Sequence, residues 1–287
     1  MREDGRLTQR ERISEDRRTV RAEVTVATLN LFKNPEEGRW PQRAPLVVRQ
    51  FLEINPDVIG FQEVDHTLDQ ANWLVTWINS ELGHREYAAY HMFNPRGVSG
   101  FESLTIVTRL PVVEHDGLDF LTMDNIAHRA RLKVEGEIFL DFYNTHLYWV
   151  PSREGSAIRR KQAERLLQWV AMHGEEGPQV IVGDFNAIPT GQTAALMKRT
   201  FRSAHEVAQG RDPDRTWPSP LISTVNVMRT FGVPSIPLGY SGTLDYIFVS
   251  QGVEVLKAGV AFNRSDAADE TLYPSDHFGL TARLRVA

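Results

Sequence analysis

Apolar and polar positions alternate along Glu23-Val24-Thr25-Val26-Ala27-Thr28-Leu29, a period-two pattern rich in β-branched residues that predicts a strand ending at Asn30. The period then changes. Val47, Val48, Phe51, Leu52 and Ile54 recur at helical spacing after Pro45, and Asn55-Pro56-Asp57 ends that helix before the apolar run Val58-Ile59-Gly60-Phe61. This second strand carries Gln62-Glu63 at its polar tip. Trp73, Leu74, Trp77 and Ile78 predict another helix over about 71–82, with those residues packed in the core. Short strands follow at 103–108, 130–134 and 138–144, bounded by glycine, proline or charged turns.

A longer helix is expected from Ala157 to Met172, with Ile158, Leu166, Leu167 and Trp169 turned to a sheet and Arg159, Arg160, Lys161 and Arg165 turned away. It leads into Val180-Ile181-Val182, tipped by Gly183-Asp184-Phe185-Asn186. The order strand, helix, strand ending in an acid thus occurs twice, which suggests two halves of similar design. Gly191 to Thr200 adds a short helix, and the Pro-, Gly- and Ser-rich stretch to Tyr240 reads as loop. Strands at 243–249 and 279–286, separated by a polar loop, complete the pattern.

Residues 1–22 are dense in Arg, Glu and Asp without apolar periodicity and are expected to form a mobile tail, leaving 23–287 as a single domain. No apolar run approaches the about 20 residues needed to cross a bilayer, and the charged N-terminus lacks the apolar stretch of a signal peptide. A soluble cytoplasmic monomer with no obligate protein partner is the expectation. The chain has no cysteine, so disulfides and thiolate metal sites are excluded and a metal would sit among oxygens and imidazoles. A net charge of −5 supplies no overall attraction for polyanions.

Polar residues at the ends of buried strands are costly unless they do something, because a desolvated carboxylate needs a partner or a metal. Here such ends recur as Thr28-Leu29-Asn30, Gln62-Glu63-Val64, Asn144-Thr145-His146-Leu147, Gly183-Asp184-Phe185-Asn186, Leu244-Asp245-Tyr246-Ile247 and Ser275-Asp276-His277-Phe278-Gly279. Each alone is a weak signal; Glu63 could cap a helix and His146 could be a core histidine. Their order resembles that of the endonuclease/exonuclease/phosphatase family, which includes exonuclease III-like repair nucleases, deoxyribonuclease I, deadenylases, inositol polyphosphate 5-phosphatases and neutral sphingomyelinases.

The resemblance implies an α/β four-layer sandwich, two packed mixed sheets flanked by helices with the site at one edge. It also implies a phosphoester hydrolase, most simply a phosphodiesterase, using Mg²⁺ or in its place Mn²⁺. Glu63 would be the principal metal ligand, with Asn30 and Asp276 in the same shell. Asp184 would activate water, and Asn186 would orient water or phosphate. His277, oriented by Asp245, and His146 would face the phosphoryl oxygens.

Repair nucleases of the exonuclease III type carry an acid two positions beyond the strand-one asparagine; this chain has Phe32. That departure, with Trp40-Pro41-Gln42-Arg43 and Tyr273-Pro274, brings the chain nearer the deadenylase-like and unassigned bacterial branches. Arg129 is a candidate substrate-binding cation, and Arg131, Arg153, Arg159, Arg160 and Lys161 could extend a phosphate rim. Tyr148, Trp149 and Trp217 could stack on a base or border a lipid headgroup. The apolar stretch Phe231 to Leu238 keeps open a sphingomyelinase-like lipid phosphodiesterase, beside a sugar or inositol phosphatase. A catalytically silent binding module is the alternative of another class.

Overall fold

The computed structural model describes residues 21–33, 38–93, 102–174, 177–221 and 241–287. Most of the expected tail and the apolar stretch at 231–238 therefore lie outside the described residues. The chain runs through β1 (Ala22–Asn30), α1 (Trp40–Ile54), β2 (Val58–Asp65), α2 (Gln70–Leu82), β3 (Ala88–Phe93) and β4 (Glu102–Thr108). It continues with β5 (Val112–Asp119), β6 (Ile126–Glu135), β7 (Ile138–His146), α3 (Arg153–Ala171), β8 (Gln179–Asp184) and α4 (Gln192–Met197). After β9 (Arg202–Ser203) and α5 (Ala204–Gln209) come β10 (Asp245–Val249), β11 (Glu254–Ala261) and β12 (Gly279–Val286).

Two six-stranded sheets result, ordered β11-β12-β1-β2-β4-β3 and β5-β6-β7-β8-β10-β9. At the centre of each lies one parallel pair, β1 with β2 and β7 with β8, joined by α1 and α3 respectively. The repeated strand–helix–strand order seen in the sequence is this pair of crossovers. Alternate residues of both sheets, among them Val24, Val26, Leu132, Phe142, Val182 and Leu284, form a core between the sheets. The outer faces are covered separately, by α1 and α2 through Val47, Phe51 and Leu74, and by α3 and α4 through Leu166, Val170 and Met197. This is the four-layer sandwich expected.

The strands β3, β5, β9 and β11, none of them expected, are the four sheet edges. Their physical reason is common. An edge strand is only partly covered, so it carries charge and small residues in place of clean alternation, as in the exposed Glu114 and His115 of β5. Helix starts were also misplaced for reasons of local chemistry. α3 begins at Arg153 because Ser152 caps it, accepting from Gly155 N at 2.9 Å, and its polar first turn has no apolar signature. α1 begins at Trp40, with Pro41 in the first turn where a missing N–H costs nothing, so Pro45 sits inside it.

His128, on the same face of β6 as the core residues Ala130 and Leu132, is fully buried. Neither ring nitrogen has a hydrogen-bond partner among the described residues. Burial, with the neighbouring His115 and His91, pushes its pKa down to about 3. Its folded pKa is thus below the unfolded value, and the unfolded chain takes up a proton that the folded chain refuses. From this group alone, stability is expected to be unaffected above pH about 6.5 and to fall by about 1.4 kcal/mol per pH unit below it, down to pH about 3. Thermal melts between pH 7.5 and 5 should therefore show a smaller decline for His128→Phe than for the parent. Parallel declines would mean that His128 is protonated in the folded chain.

Candidate active site

Strand register brings the chemistry-bearing residues to one end of the sandwich. Asp184 ends β8 opposite His146 of β7 on one side and opposite Asp245 of β10 on the other. In the first sheet Asn30 ends β1 opposite Gln62 of β2, and Glu63 is the next residue. Ser275-Asp276-His277 precedes β12, whose Leu280 pairs with Thr28. The tips of both sheets thus meet.

The meeting is held by polar groups that the sequence motifs contain but to which no role was assigned. Gln62 Nε2 donates to Asn144 Oδ1 at 2.6 Å and to Thr28 Oγ1 at 3.0 Å, and Asn144 Nδ2 donates across the gap to Phe61 O and Thr105 O. Each of these buried amides bonds to the opposite sheet, which satisfies desolvated groups and fixes the sheets' relative height. Gly60 permits the approach, since a Cβ there would lie 2.7 Å from Val182 Cγ2 and 2.8 Å from Asn144 Cγ. Gly183 is required more strictly. Its φ is +141°, and a Cβ would lie 1.9 Å from Thr145 O, so no side chain fits at this position of β8, next to Asp184.

Asp184 is the hub. Its Oδ1 accepts from Asn186 N at 2.8 Å, and its Oδ2 lies 3.2 Å from Asn30 Nδ2 and 3.7 Å from both His146 Nε2 and His277 Nε2. His277 Nδ1 is 2.9 Å from Asp245 Oδ2, and Asp245 Oδ1 is buried without a partner among the described residues. Glu63 Oε1 accepts from Asn30 Nδ2 at 2.9 Å and lies 3.9 Å from His146 Nε2, while Oε2 accepts from Lys33 N at 2.9 Å. Glu63 and Asn186 both adopt left-handed backbone conformations, φ +51° and +47°, which are unfavourable for a residue such as Glu63. Asn186 Nδ2 is turned to Leu147 O at 3.0 Å.

Asp276 stands apart from this group. Its Oδ2 accepts from Trp217 Nε1 and its Oδ1 from Ser275 Oγ, both at 3.3 Å. Trp217 is buried, with its ring 6.5 Å from His277, and so forms a wall of the site. Its contact with Asp276 had no signal in the sequence. Trp149 is exposed and Tyr148 half-buried beyond the tip of β7.

The electrostatics are those of crowded, desolvated carboxylates. Burial, helped by Asp245 and opposed by His277 and His146, pushes Asp184 up to about 6. Burial and Glu63, opposed by His277 and Arg43, do the same to Asp276, also to about 6. His277 would be lowered by burial, but Asp245, Asp276 and Asp184 together hold it well above the usual histidine range. The negative charge is not fully compensated by the protein. Glu63, His146 and Asp184 offer ligand atoms within 4.8 Å of one another, as do Asp184, Asp245 and His277. Oxygen donors beside uncompensated charge fit a hard divalent cation.

Arg129 requires a correction. It is fully buried on β6, where it pairs with Asp141 at 2.8 Å and with Glu114 at 3.1 Å, away from the residues gathered around Asp184. A guanidinium held by carboxylates along the sheet is unavailable to a phosphate. Of the wider rim, Arg131 pairs with Asp141, Arg160 with Glu164, and the buried Arg159 donates to Tyr148 O and Val150 O, while Arg153 and Lys161 are exposed on α3. Arg159 braces the segment after His146 rather than facing solvent.

In sequence the chain is similar to Nocturnin of Rattus norvegicus, 26% identical over 280 residues, 88% of this chain and 60% of that protein. To Nocturnin of Drosophila melanogaster it is 27% identical over 175 residues, 54% of this chain and 25% of that protein. The chain thus spans from a quarter to 60% of the length of these curated relatives. In fold it is similar to an endonuclease/exonuclease/phosphatase from Bacteroides vulgatus, with a TM-score of 0.70 and 20% identity, covering 92% of this chain and 99% of that one. The human Nocturnin catalytic domain with bound sulfate anion gives a TM-score of 0.67 and 20% identity, covering 93% and 94%. D. rerio TDP2 complexed with single strand DNA product gives 0.70 and 17%, covering 91% and 98%. The model of the Endonuclease/Exonuclease/phosphatase family matches residues 27–277, spanning the tips of both sheets, and the chain belongs to that family.

Proposed function

We propose that the chain is a divalent-metal-dependent phosphodiesterase that hydrolyses small or single-stranded phosphoesters by in-line attack of water. The observation that carries this reading is the convergence of Asp184, His146 and His277 within 3.7 Å beside Glu63. A buried carboxylate flanked by two imidazoles can take a proton from water while the imidazoles face an anion. Glu63, aimed by Asn30 and Lys33 N, would hold Mg²⁺, or Mn²⁺ in its place, and Asp276, which interacts electrostatically with Glu63, would join the same shell. The metal would supply positive charge to the phosphoryl oxygens.

Within this scheme Asp184 accepts the proton of the attacking water, His277 donates to a phosphoryl oxygen, and Asp245 fixes the ring that does so. Asn186 and His146 line the opposite side of the phosphate. The likeness to TDP2, seen with a single strand DNA product, and to Nocturnin, seen with a sulfate anion, supports a phosphate-centred substrate. Phe32 in place of an acid and the net charge of −5 weigh against duplex DNA with an abasic site.

A panel of phosphate monoesters and diesters, assayed after chelation and again with Mg²⁺ or Mn²⁺ restored, tests the reading. Turnover is expected with either metal on a small or single-stranded diester, and only poor turnover on an abasic duplex at physiological salt. Metal-independent turnover, or efficient nicking of the duplex, would overturn it.

A further inference from the structure

Arg43 is among the largest fully buried side chains of the described residues, and it makes no ion pair among them. Its guanidinium donates to four backbone carbonyls: Gly38 O through Nε, Leu31 O at 3.0 Å and Pro274 O at 2.6 Å through Nη1, and Phe32 O at 3.1 Å through Nη2. The rings of Phe32 and Trp40 lie 5.6 and 5.3 Å from its Cζ. A planar fork spread over separate carbonyls and stacked against aromatic rings is an arrangement that an ammonium group cannot reproduce.

What the fork ties together gives it meaning. Leu31, Phe32 and Lys33 follow β1, and this short segment contacts both Asn30 and Glu63. Phe32 N donates to Asn30 Oδ1, and Lys33 N donates to Glu63 Oε2, each at 2.9 Å. Pro274, itself one of the four acceptors, directly precedes Ser275-Asp276-His277. Burial lowers the pKa of Arg43 to about 10, and the charges that oppose this are those of Asp276 and Glu63. The cation therefore faces the two carboxylates without touching either.

We propose that Arg43 is a positioning residue for the metal-binding carboxylates. It locks the segment after β1 to the segment before β12, so that Glu63, Asn30 and Asp276 keep their relative places. This rests on the metal reading above. Supporting groups of this kind typically alter metal affinity or activity by about 10- to 100-fold.

The test compares the parent chain with Arg43→Lys, which keeps the charge, and Arg43→Gln, which keeps some hydrogen bonding. Mn²⁺ titration calorimetry, steady-state kinetics and thermal melting are read on each. Both variants should bind Mn²⁺ about tenfold or more weakly and lose kcat by a similar or larger factor, with KM moving far less, while still melting cooperatively. Mn²⁺ affinity and kcat within about twofold of the parent in either folded variant would reduce Arg43 to a space-filling role. Loss of cooperative melting in both would make it a determinant of the fold and remove the positioning role. A parent chain that binds no Mn²⁺ sinks the metal reading and this inference together, whereas equal binding by parent and variants sinks the inference alone.

Discussion

Asp184→Asn should lower turnover by about a hundred- to ten-thousandfold, the range associated with removing a positioned general base. The substitution changes one atom at the hub of the site and keeps its shape, at the cost of the oxygen that accepts from Asn30 Nδ2. Asn186 N can still donate to the side-chain oxygen, and the shape opposite His146 and Asp245 is unaltered. What disappears is the ability to accept a proton at the position where His146 and His277 converge. Because Glu63 would be the principal metal ligand and the histidines would face the phosphate, substrate affinity should change little and Mn²⁺ affinity far less than turnover. Single-turnover kinetics beside calorimetry on the same variant separates these quantities. Retention of turnover within about tenfold would exclude Asp184 as the base.

The second large effect concerns the pair Asp245 and His277. Their 2.9 Å contact is buried, and Asp245 is the charge that does most to raise the histidine's pKa. Removing one donor to the developing charge should cost about 3 to 4 kcal/mol in the transition state, some hundred- to thousandfold in rate. His277→Ala and Asp245→Asn should each show a loss of this size, and the double variant little more, since groups acting as a unit are non-additive. Additive losses in the cycle would mean that the two act independently. Asp245 also faces Asp184 in the register of β8 and β10 and helps to raise its pKa. A deficit for Asp245→Asn well beyond that of His277→Ala would therefore place its main effect on Asp184.

The central strands and the motifs at their tips were legible because both depend on short-range pattern. Val26, Ile59 and Ile181 lie on strands covered on both faces, and Asn30, Glu63 and Asp184 break those apolar runs at fixed places. The edge strands were not legible, because half-covered backbone tolerates Glu114, Gly117 and Lys257. Distance in sequence hid the rest. Nothing local marks Trp217 as the partner of Asp276, or Pro274 as an acceptor for Arg43, 231 positions away. Arg129 misled for the same reason: a cation opening a strand that leads toward the cleft reads as a phosphate binder until its ion pair with Asp141 is known.

One feature of the topology bears on how the molecule is made. The second sheet is drawn from one continuous stretch, Val112 to Val249, whereas the first is assembled from Ala22–Thr108 together with Glu254–Val286. β1, made early, is flanked by β2 on one side and by β12 on the other, with Ala22 opposite Val286. During vectorial synthesis the edge of β1 that faces β12 stays open until residues 279–286 have left the ribosome, an unpaired edge of the kind that invites wrong pairing. Asp276 and His277 arrive in the same final stretch. A nascent chain therefore gains its closed sheet and its complete constellation in one late event, so a truncation before Gly279 removes the closing strand and the support of His277 together.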